Sequence, residues 1–252
     1  MQATYTGELN VTLKTPPVHA ARKILQEAGN VLVLTGAGIS AESGIPTFRG
    51  AGERWRDKHF LELANPAAFK RDPREIWDWY LYRRGVVANC MPNAAHLALA
   101  AWARRRTGVT LVTQNVDGLH EQAGHPDVVR LHGSLWQNRC TSCGEEREDR
   151  SLSYDALPLS PCCQALERPA IVWFHEMLPN ASVNSALAAA RTANVVIAIG
   201  TSGVVYPAAS YISLASGIGA VVIDVNPEDN ETHADIAIRL PAVEALTRLL
   251  SE

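Results

Sequence analysis

The sequence predicts a doubly wound α/β fold of Rossmann type, and three observations carry that expectation. Four short runs, Val31–Leu34, Val109–Thr113, Val195–Gly200 and Ala220–Val225, are apolar and rich in β-branched residues. They lack polar alternation, as strands covered on both faces of a parallel sheet do. Helical patterns separate them, and strands alternating with helices make a parallel sheet with helices packed on it. A glycine-rich segment, Gly36-Ala37-Gly38, follows the first run directly. A strand that leads through such a turn into a helix is an arrangement that holds phosphate.

The elements follow in order. Residues 1–17 read as a loose arm. Val18, Ala21, Ile24, Leu25 and Ala28 recur at helical spacing and stop at Gly29, predicting a helix. The first strand comes next. Residues 51–88 form a helical insertion, whose Phe60–Ala88 part is broken near Asn65-Pro66 and Asp72-Pro73, because proline ends a helix at the residue before it. His96–Arg105 predicts a further helix, ahead of the second strand. Residues 139–169 are polar, carry four of the five cysteines and two prolines, and read as a small inserted module. The third and fourth strands follow, and Val243–Leu250 closes the chain as an amphipathic helix. Rossmann-type segments are therefore expected at 18–50, 89–138 and 170–252, within one domain of 18–252.

Composition narrows the class. The 252 residues are 47% hydrophobic, enough for one sizeable core with a small attachment. The formal net charge of −3 argues against general nucleic-acid binding, which needs a basic surface. Five cysteines, two in a Cys-x-x-Cys and two adjacent, suggest metal binding or free thiols before disulfides. No apolar run reaches membrane-span length and no targeting pattern opens the chain, so a cytoplasmic protein is expected, and a monomer is the expected state.

The loop Thr35–Arg49 is the most informative stretch. Gly36-x-Gly38 followed by Gly44 differs from the ordinary dinucleotide spacing, and alone it leaves a plain glycine turn open. Asn115 and Asp117 lie just past a strand's C-terminal end, where doubly wound folds bind ligands, though both types are also common in turns. His132 can take a proton near neutral pH; His120 and His125 have weaker claims, and Cys90 reads as an ordinary buried residue. Tyr80 and Arg83 are three apart on a predicted helix and project from one face. An arginine fork holds a carboxylate bidentately and a tyrosine adds a hydroxyl donor. Taken alone, the pair reads as a solvated arginine beside a core aromatic.

Thr35–Arg49, Thr113–His120, Leu131–Leu135, Ile171–Glu176 and Gly200–Gly203 form an ordered set that resembles the sirtuins, NAD-dependent protein deacylases, over about Val31 to Asn226. The resemblance implies a Rossmann-type NAD domain, a zinc-ribbon-like domain and a cleft between them for acylated-lysine protein substrates. It assigns NAD to Gly36, Ala37, Gly38, Ala41, Thr47, Phe48, Arg49, Gln114, Asn115, Asp117, Gly200, Thr201, Ser202 and Asn226, with His132 as general base on a ribose hydroxyl. Tyr80-x-x-Arg83, Thr47 and Ala64 also match the class that removes acidic acyl groups, succinyl and malonyl, besides acetyl. On that reading Ala64, Tyr80 and Arg83 take the acyl group, and Val172, Trp173 and Phe174 line the peptide, by addition to its backbone. Nicotinamide, 2′-O-acyl-ADP-ribose and free lysine are the implied products. Mono-ADP-ribosyl transfer and an NAD-sensing module are the competing functions; label from NAD retained on protein would favour the former.

Two places depart from the family pattern. Cys140-x-x-Cys143 is a proper zinc half-site, but Ser160 stands at the first cysteine of the second pair, beside Cys162 and Cys163. Zinc held by all four cysteines, by three with another group, or not at all are the outcomes left open. His175 stands where the family has glycine, so its side chain either narrows the peptide cleft or demands a different backbone angle.

Overall fold

The structure, a computed structural model, describes residues 17–47, 54–55, 58–203 and 206–251. In chain order the elements are α1 (Pro17–Glu27), β1 (Val31–Thr35), a 3₁₀ helix (Ala37–Ser43), β2 (Arg54–Trp55), β3 (Lys58–His59), α2 (Phe60–Leu63), α3 (Pro66–Arg71), α4 (Pro73–Ala88) and α5 (Ala94–Arg105). They continue with β4 (Val109–Thr113), α6 (Leu119–Gln122), β5 (Val128–Arg130), β6 (Gly133–Cys140), β7 (Glu146–Glu148), β8 (Glu167–Ile171), α7 (Asn180–Thr192), β9 (Val195–Ile199), α8 (Ala208–Gly217), β10 (Val221–Val225), β11 (Ile236–Ile238) and α9 (Ala242–Leu250).

Six strands form one parallel sheet in the order β11-β10-β9-β1-β4-β5. The four predicted strands are its centre, buried on both faces as their unbroken apolar runs require. Val31 and Val33 of β1 join one core with residues of α1, α5 and α9, while Leu32 and Leu34 join another with residues of α7 and α8. The edge strands β5 and β11 have three residues each, too short for a periodic signal. The chain runs outward from β1 in one direction and from β9 in the other, so strand order reverses between these two neighbours. A crevice opens at such a switch point, and ligands of doubly wound folds sit there.

The proline breaks fall where the sequence places them. Asn65 caps α3 by accepting from the Ala68 N–H (2.8 Å), and Asp72 caps α4 by accepting from the Glu75 N–H (3.0 Å), with a proline opening each helix. These helices pack through Leu63, Ile76, Trp77 and Tyr80 on Leu135, Ile171 and Trp173. The cysteine-bearing stretch folds as a three-stranded antiparallel sheet, β7-β6-β8, whose strands begin at Gly133 and end at Ile171. No helix among the described residues is long and apolar enough to cross a membrane.

Candidate functional site

The turns after β1 and β9 meet at the switch point with almost no space between them. Gly36 N–H donates to Ile199 O and Gly38 N–H to Gly200 O, both at 3.0 Å. A Cβ on Gly38 would lie 2.6 Å from the Gly200 Cα, and Gly200 itself has φ +57°. Glycine is required here for backbone on backbone. The sequence reading gave these glycines to a pyrophosphate and expected free N–H groups at a helix start; the structure spends the Gly38 donor on Gly200 and follows it with a 3₁₀ helix.

Around this contact the predicted residues converge. Asn115 Nδ2 donates to Gly36 O (3.0 Å), and Gln114 N–H to Thr35 O (2.9 Å). Asp117 is buried, with Oδ2 2.9 Å from Ser40 Oγ and Oδ1 accepting from Leu119 N–H (2.9 Å). Burial pushes its carboxyl above the usual range. Trp136 Nε1 donates to the Asp117 carbonyl (2.7 Å), which fixes the turn from outside. Asn226 Nδ2 donates to Thr201 O (2.9 Å), tying the β10 turn to the β9 turn. Thr201 Oγ1 is buried with no partner among the described residues and lines a small cleft with Leu34, Gln114, Ser202 and Ile212. Ala37, Ala41 and Thr47 belong to the same loop and are half-buried or exposed. Phe48 and Arg49 lie outside the described residues.

His132 follows β5 and is half-buried. Its Nδ1 lies 2.9 Å from the Gln114 carbonyl, so Nδ1 carries the hydrogen and Nε2 keeps its lone pair. Burial holds the imidazole below its ordinary value, so it is neutral at pH 7. The backbone is held as firmly. Val172 N–H donates to His132 O (3.0 Å), and Gly133 has φ +79° with a built Cβ only 2.0 Å from Ala170 O. No other residue fits after the histidine.

From Val172 the chain leads to the second cluster. Trp173 is buried and its Nε1 donates to the Tyr80 hydroxyl oxygen (2.8 Å), leaving the Tyr80 proton to be aimed elsewhere. Arg83 lies with its guanidinium 5.2 Å from the Trp79 ring centre and 5.5 Å from that of Tyr80. Burial works against its charge and outweighs the attraction of Tyr80 and Asp117. Ala64, buried at the end of α2, accepts from Phe174 N–H (3.0 Å), and Phe174 itself is exposed against Phe60. Trp173 N–H goes to Glu176 Oε2 (2.8 Å), so the three amide donors of Val172–Phe174 are used within the protein. His175 is exposed and keeps φ +70°, an angle suited to glycine.

Residues 36–207 match the profile of the Sir2 family. This chain belongs to that family. The NAD-dependent protein deacylase of Aquifex aeolicus is 46% identical to it over 202 residues, 79% of this chain and 84% of that one. The protein of the same name from Pyrococcus furiosus is 42% identical over 238 residues, 91% and 95% of the two chains. A solved Sir2 homologue in complex with NAD superposes with a TM-score of 0.87 at 43% identity, covering 92% of each chain. A Sir2–p53 peptide–NAD⁺ structure superposes at 0.79 with 30% identity over 90% and 94% of the chains.

In the cysteine module of this Sir2 chain the fold brings all four cysteines together. The sulfurs of Cys140, Cys143, Cys162 and Cys163 all lie within 4.8 Å of one another. Thiolates sharing a tetrahedral zinc at 2.3 Å stand about 3.8 Å apart, so the cluster fits a structural zinc. Cys140 Sγ accepts from the Ser142 and Cys143 N–H groups (3.4 and 3.5 Å), and the Cys143 bond leads the causes that lower its thiol to about 6. Adjacent Cys162 and Cys163 both reach the cluster, Cys162 Sγ lying 3.0 Å from Cys143 Sγ and Cys163 Sγ 3.4 Å from Cys140 Sγ, and Gln164 follows them with φ +60°. Ser160 lies 3.1 Å from Cys162 Sγ, so its hydroxyl supports the sulfur that replaces it as ligand. Purified protein is expected to carry one zinc per chain by metal analysis, Cys162→Ser to lose it, and Ser160→Ala to keep it with affinity about 10-fold weaker.

Sequence reasoning missed several supports of the site. Ser40 sits in the quoted loop, yet only the fold brings Asp117 to it. Glu176 pairs with Arg168 through both carboxylate oxygens (2.5 and 2.9 Å), and Arg168 lies 3.4 Å over the Trp173 ring, so the pair fixes the segment that carries Trp173. Arg84, next to Arg83, is fully buried and structural.

Proposed function

We propose that this protein removes acetyl and acidic acyl groups, succinyl and malonyl, from protein lysines in an NAD-dependent reaction, releasing nicotinamide, 2′-O-acyl-ADP-ribose and free lysine. Family membership and the likeness to NAD-dependent protein deacylases support the general activity. NAD supplies the C1′ electrophile and carries away the acyl group. The observation that carries the reading is the linkage of two clusters through one backbone bond: Val172 N–H to His132 O joins the glycine-loop crevice to the Tyr80–Trp173–Arg83 pocket.

Each side chain then has a task. The loops after β1 and β9 hold the dinucleotide, with Gln114, Thr201, Ser202 and Asn226 on its sugars and phosphates. Asn115 and Asp117 take the nicotinamide carboxamide. His132, its tautomer set by the Gln114 carbonyl, offers Nε2 to a ribose hydroxyl and accepts its proton. Ala64 leaves room for a longer acyl chain. Tyr80 O–H and the Arg83 guanidinium donate to the distal carboxylate, and that anion offsets the cost of holding the arginine charge away from water.

Acetyl-, malonyl- and succinyl-lysine peptides compared on wild type and Arg83→Met test this. The loss of a charge-assisted hydrogen bond predicts about 10–100-fold lower kcat/KM for the two acidic acyl groups, with the acetyl peptide little changed. An equal fall on all three peptides removes Arg83 from acyl recognition.

A further inference from the structure

Three buried histidines stand behind the Asn115–Asp117 turn, and acyl transfer uses none of them. His96 on α5 and His120 on α6 have ring centres 4.9 Å apart, and His125 lies 6.4 Å from His120.

The hydrogen bonds around His96 can be assigned from one end to the other. Asn93 Nδ2 donates to Ile39 O (2.8 Å) and Asn93 Oδ1 accepts from Ala95 N–H (3.0 Å), which settles the end of the amide that is oxygen. His96 Nδ1 lies 3.0 Å from that oxygen, so Nδ1 carries a hydrogen. Burial lowers the imidazole to about 4, so the ring is neutral at pH 7 and Nε2 is a bare acceptor. It faces Ser40 Oγ at 3.4 Å. Ser40 Oγ, with one proton and two lone pairs, also faces Asp117 Oδ2 (2.9 Å) and Asn115 Nδ2 (3.4 Å). The Asn115 amide nitrogen is fixed as a donor by its bond to Gly36 O.

Only one neutral arrangement fills every position. With Asp117 ionised, the Ser40 proton turns to the carboxylate, and His96 Nε2 is left buried against an oxygen with no hydrogen between them. With Asp117 protonated, Asp117 donates to Ser40, Asn115 donates to Ser40, and Ser40 donates to His96. Moving two hydrogens along the line gives the alternative: Oδ2–H breaks as Oγ–H forms, and the former Oγ–H becomes Nε2–H. That alternative is an imidazolium–carboxylate pair, and burial disfavours both of its charges. His120, itself held well below its usual value, stands against the His96 ring and adds to the cost of a cation there. Arg83 pulls the Asp117 carboxyl down, Glu121 pushes it up, and Cys90 lies within reach of its charge.

We propose that Asp117 and His96 share one proton through the Ser40 hydroxyl, which makes His96 a positioning residue that keeps Asp117 a neutral carboxyl at the nicotinamide end of the site. The assignment of that end rests on the function proposed above. A neutral Asp117 hydrogen-bonds a carboxamide through its remaining lone pairs. It does so without lowering the energy of a cationic pyridinium ring, whose charge disappears when the glycosidic bond breaks.

Infrared spectroscopy of the ligand-free protein with ¹³C-labelled aspartate carboxyl groups, together with ¹⁵N imidazole spectra, tests the proton's place. At pH 7 the expected result is a protonated-carboxyl band that vanishes in Asp117→Asn, beside a His96 ring bearing hydrogen on Nδ1 only. His96→Phe removes the acceptor, so Ser40 turns its proton to Asp117 and the titration midpoint of that band falls by about one pH unit or more. His96→Gln, whose amide oxygen accepts, restores the midpoint. An ionised Asp117 in wild type at pH 7, or one midpoint common to wild type and His96→Phe, overturns the proposal. Wild type alone decides should His96→Phe not fold. Nicotinamide added to the same sample is expected to shift the band. A band that ignores nicotinamide removes Asp117 from the nicotinamide end and leaves the shared proton to stand on the ligand-free result.

Discussion

Replacing His132 with alanine is expected to lower turnover of acyl-lysine peptides by at least about 10²–10⁴-fold, the usual contribution of a positioned general base. The geometry makes the residue hard to replace. Gln114 O holds Nδ1–H, Val172 N–H holds the backbone, and Gly133 gives the chain room beside Ala170. Water could take a proton in the vacated space, but it would lack that orientation. The pH profile carries a second signature. Because burial lowers the His132 pKa below its ordinary 6.5, the neutral form persists into mildly acidic solution. Activity is therefore fully present above 6.5 and falls as pH drops through the lowered folded value. Nicotinamide release assayed with acyl peptide measures both effects. A His132→Ala protein that keeps its circular dichroism and turns over within tenfold of wild type would remove His132 from the chemistry.

The second large effect concerns stability. Arg84→Met is expected to cost about 3–5 kcal/mol, the scale for breaking a buried ion pair on one side. Arg84 is fully buried on α4. Its Nε donates to Leu135 O (2.7 Å), Nη1 to Asp149 Oδ1, Ser151 O and the Tyr154 hydroxyl (3.2, 3.1 and 3.2 Å), and Nη2 to Asn138 Oδ1 (2.8 Å). Burial alone would raise the Asp149 carboxyl, but bonds from the Ser151 N–H and hydroxyl and the Tyr154 hydroxyl, with the charge of Arg84, bring it below its usual range. Methionine fills much of the volume but takes the guanidinium from the buried Asp149 carboxylate and leaves Leu135 O, Ser151 O and Asn138 Oδ1 without that donor. For a domain of this size the cost corresponds to a Tm lower by about 10 °C. Thermal unfolding with zinc held in excess measures it. A change below about 1 kcal/mol would mean that water replaces the guanidinium.

Arg83 and Arg84 are adjacent, and nothing in their residue type says that one lies over Trp79 and Tyr80 while the other locks helix α4 onto the β6–β8 sheet. That difference comes from the 100° step between helical neighbours, which turns one side chain toward Tyr80 and the other toward Asp149. The same holds for the cysteines. Spacing left zinc by four ligands, by three or by none open, and only the fold brings the four sulfurs within 4.8 Å of one another. At His175, by contrast, the fold keeps the angle that glycine would take, at a cost of order 1–3 kcal/mol.

The sequence by itself determined the class of fold, its four central strands, the breaks at Pro66 and Pro73, and the ordered motifs that place the chain among the Sir2 proteins. Those features are local, since they follow from periodicity, proline geometry and residue type within a few positions of one another. Tertiary structure alone decided which N–H and side-chain groups are already spent. It set the Gly38–Gly200 contact, the Ser40 bridge between Asp117 and His96, the His132 tautomer and the meeting of four sulfurs. Each of these depends on burial and on partners tens of residues away, and no local preference records who those partners are.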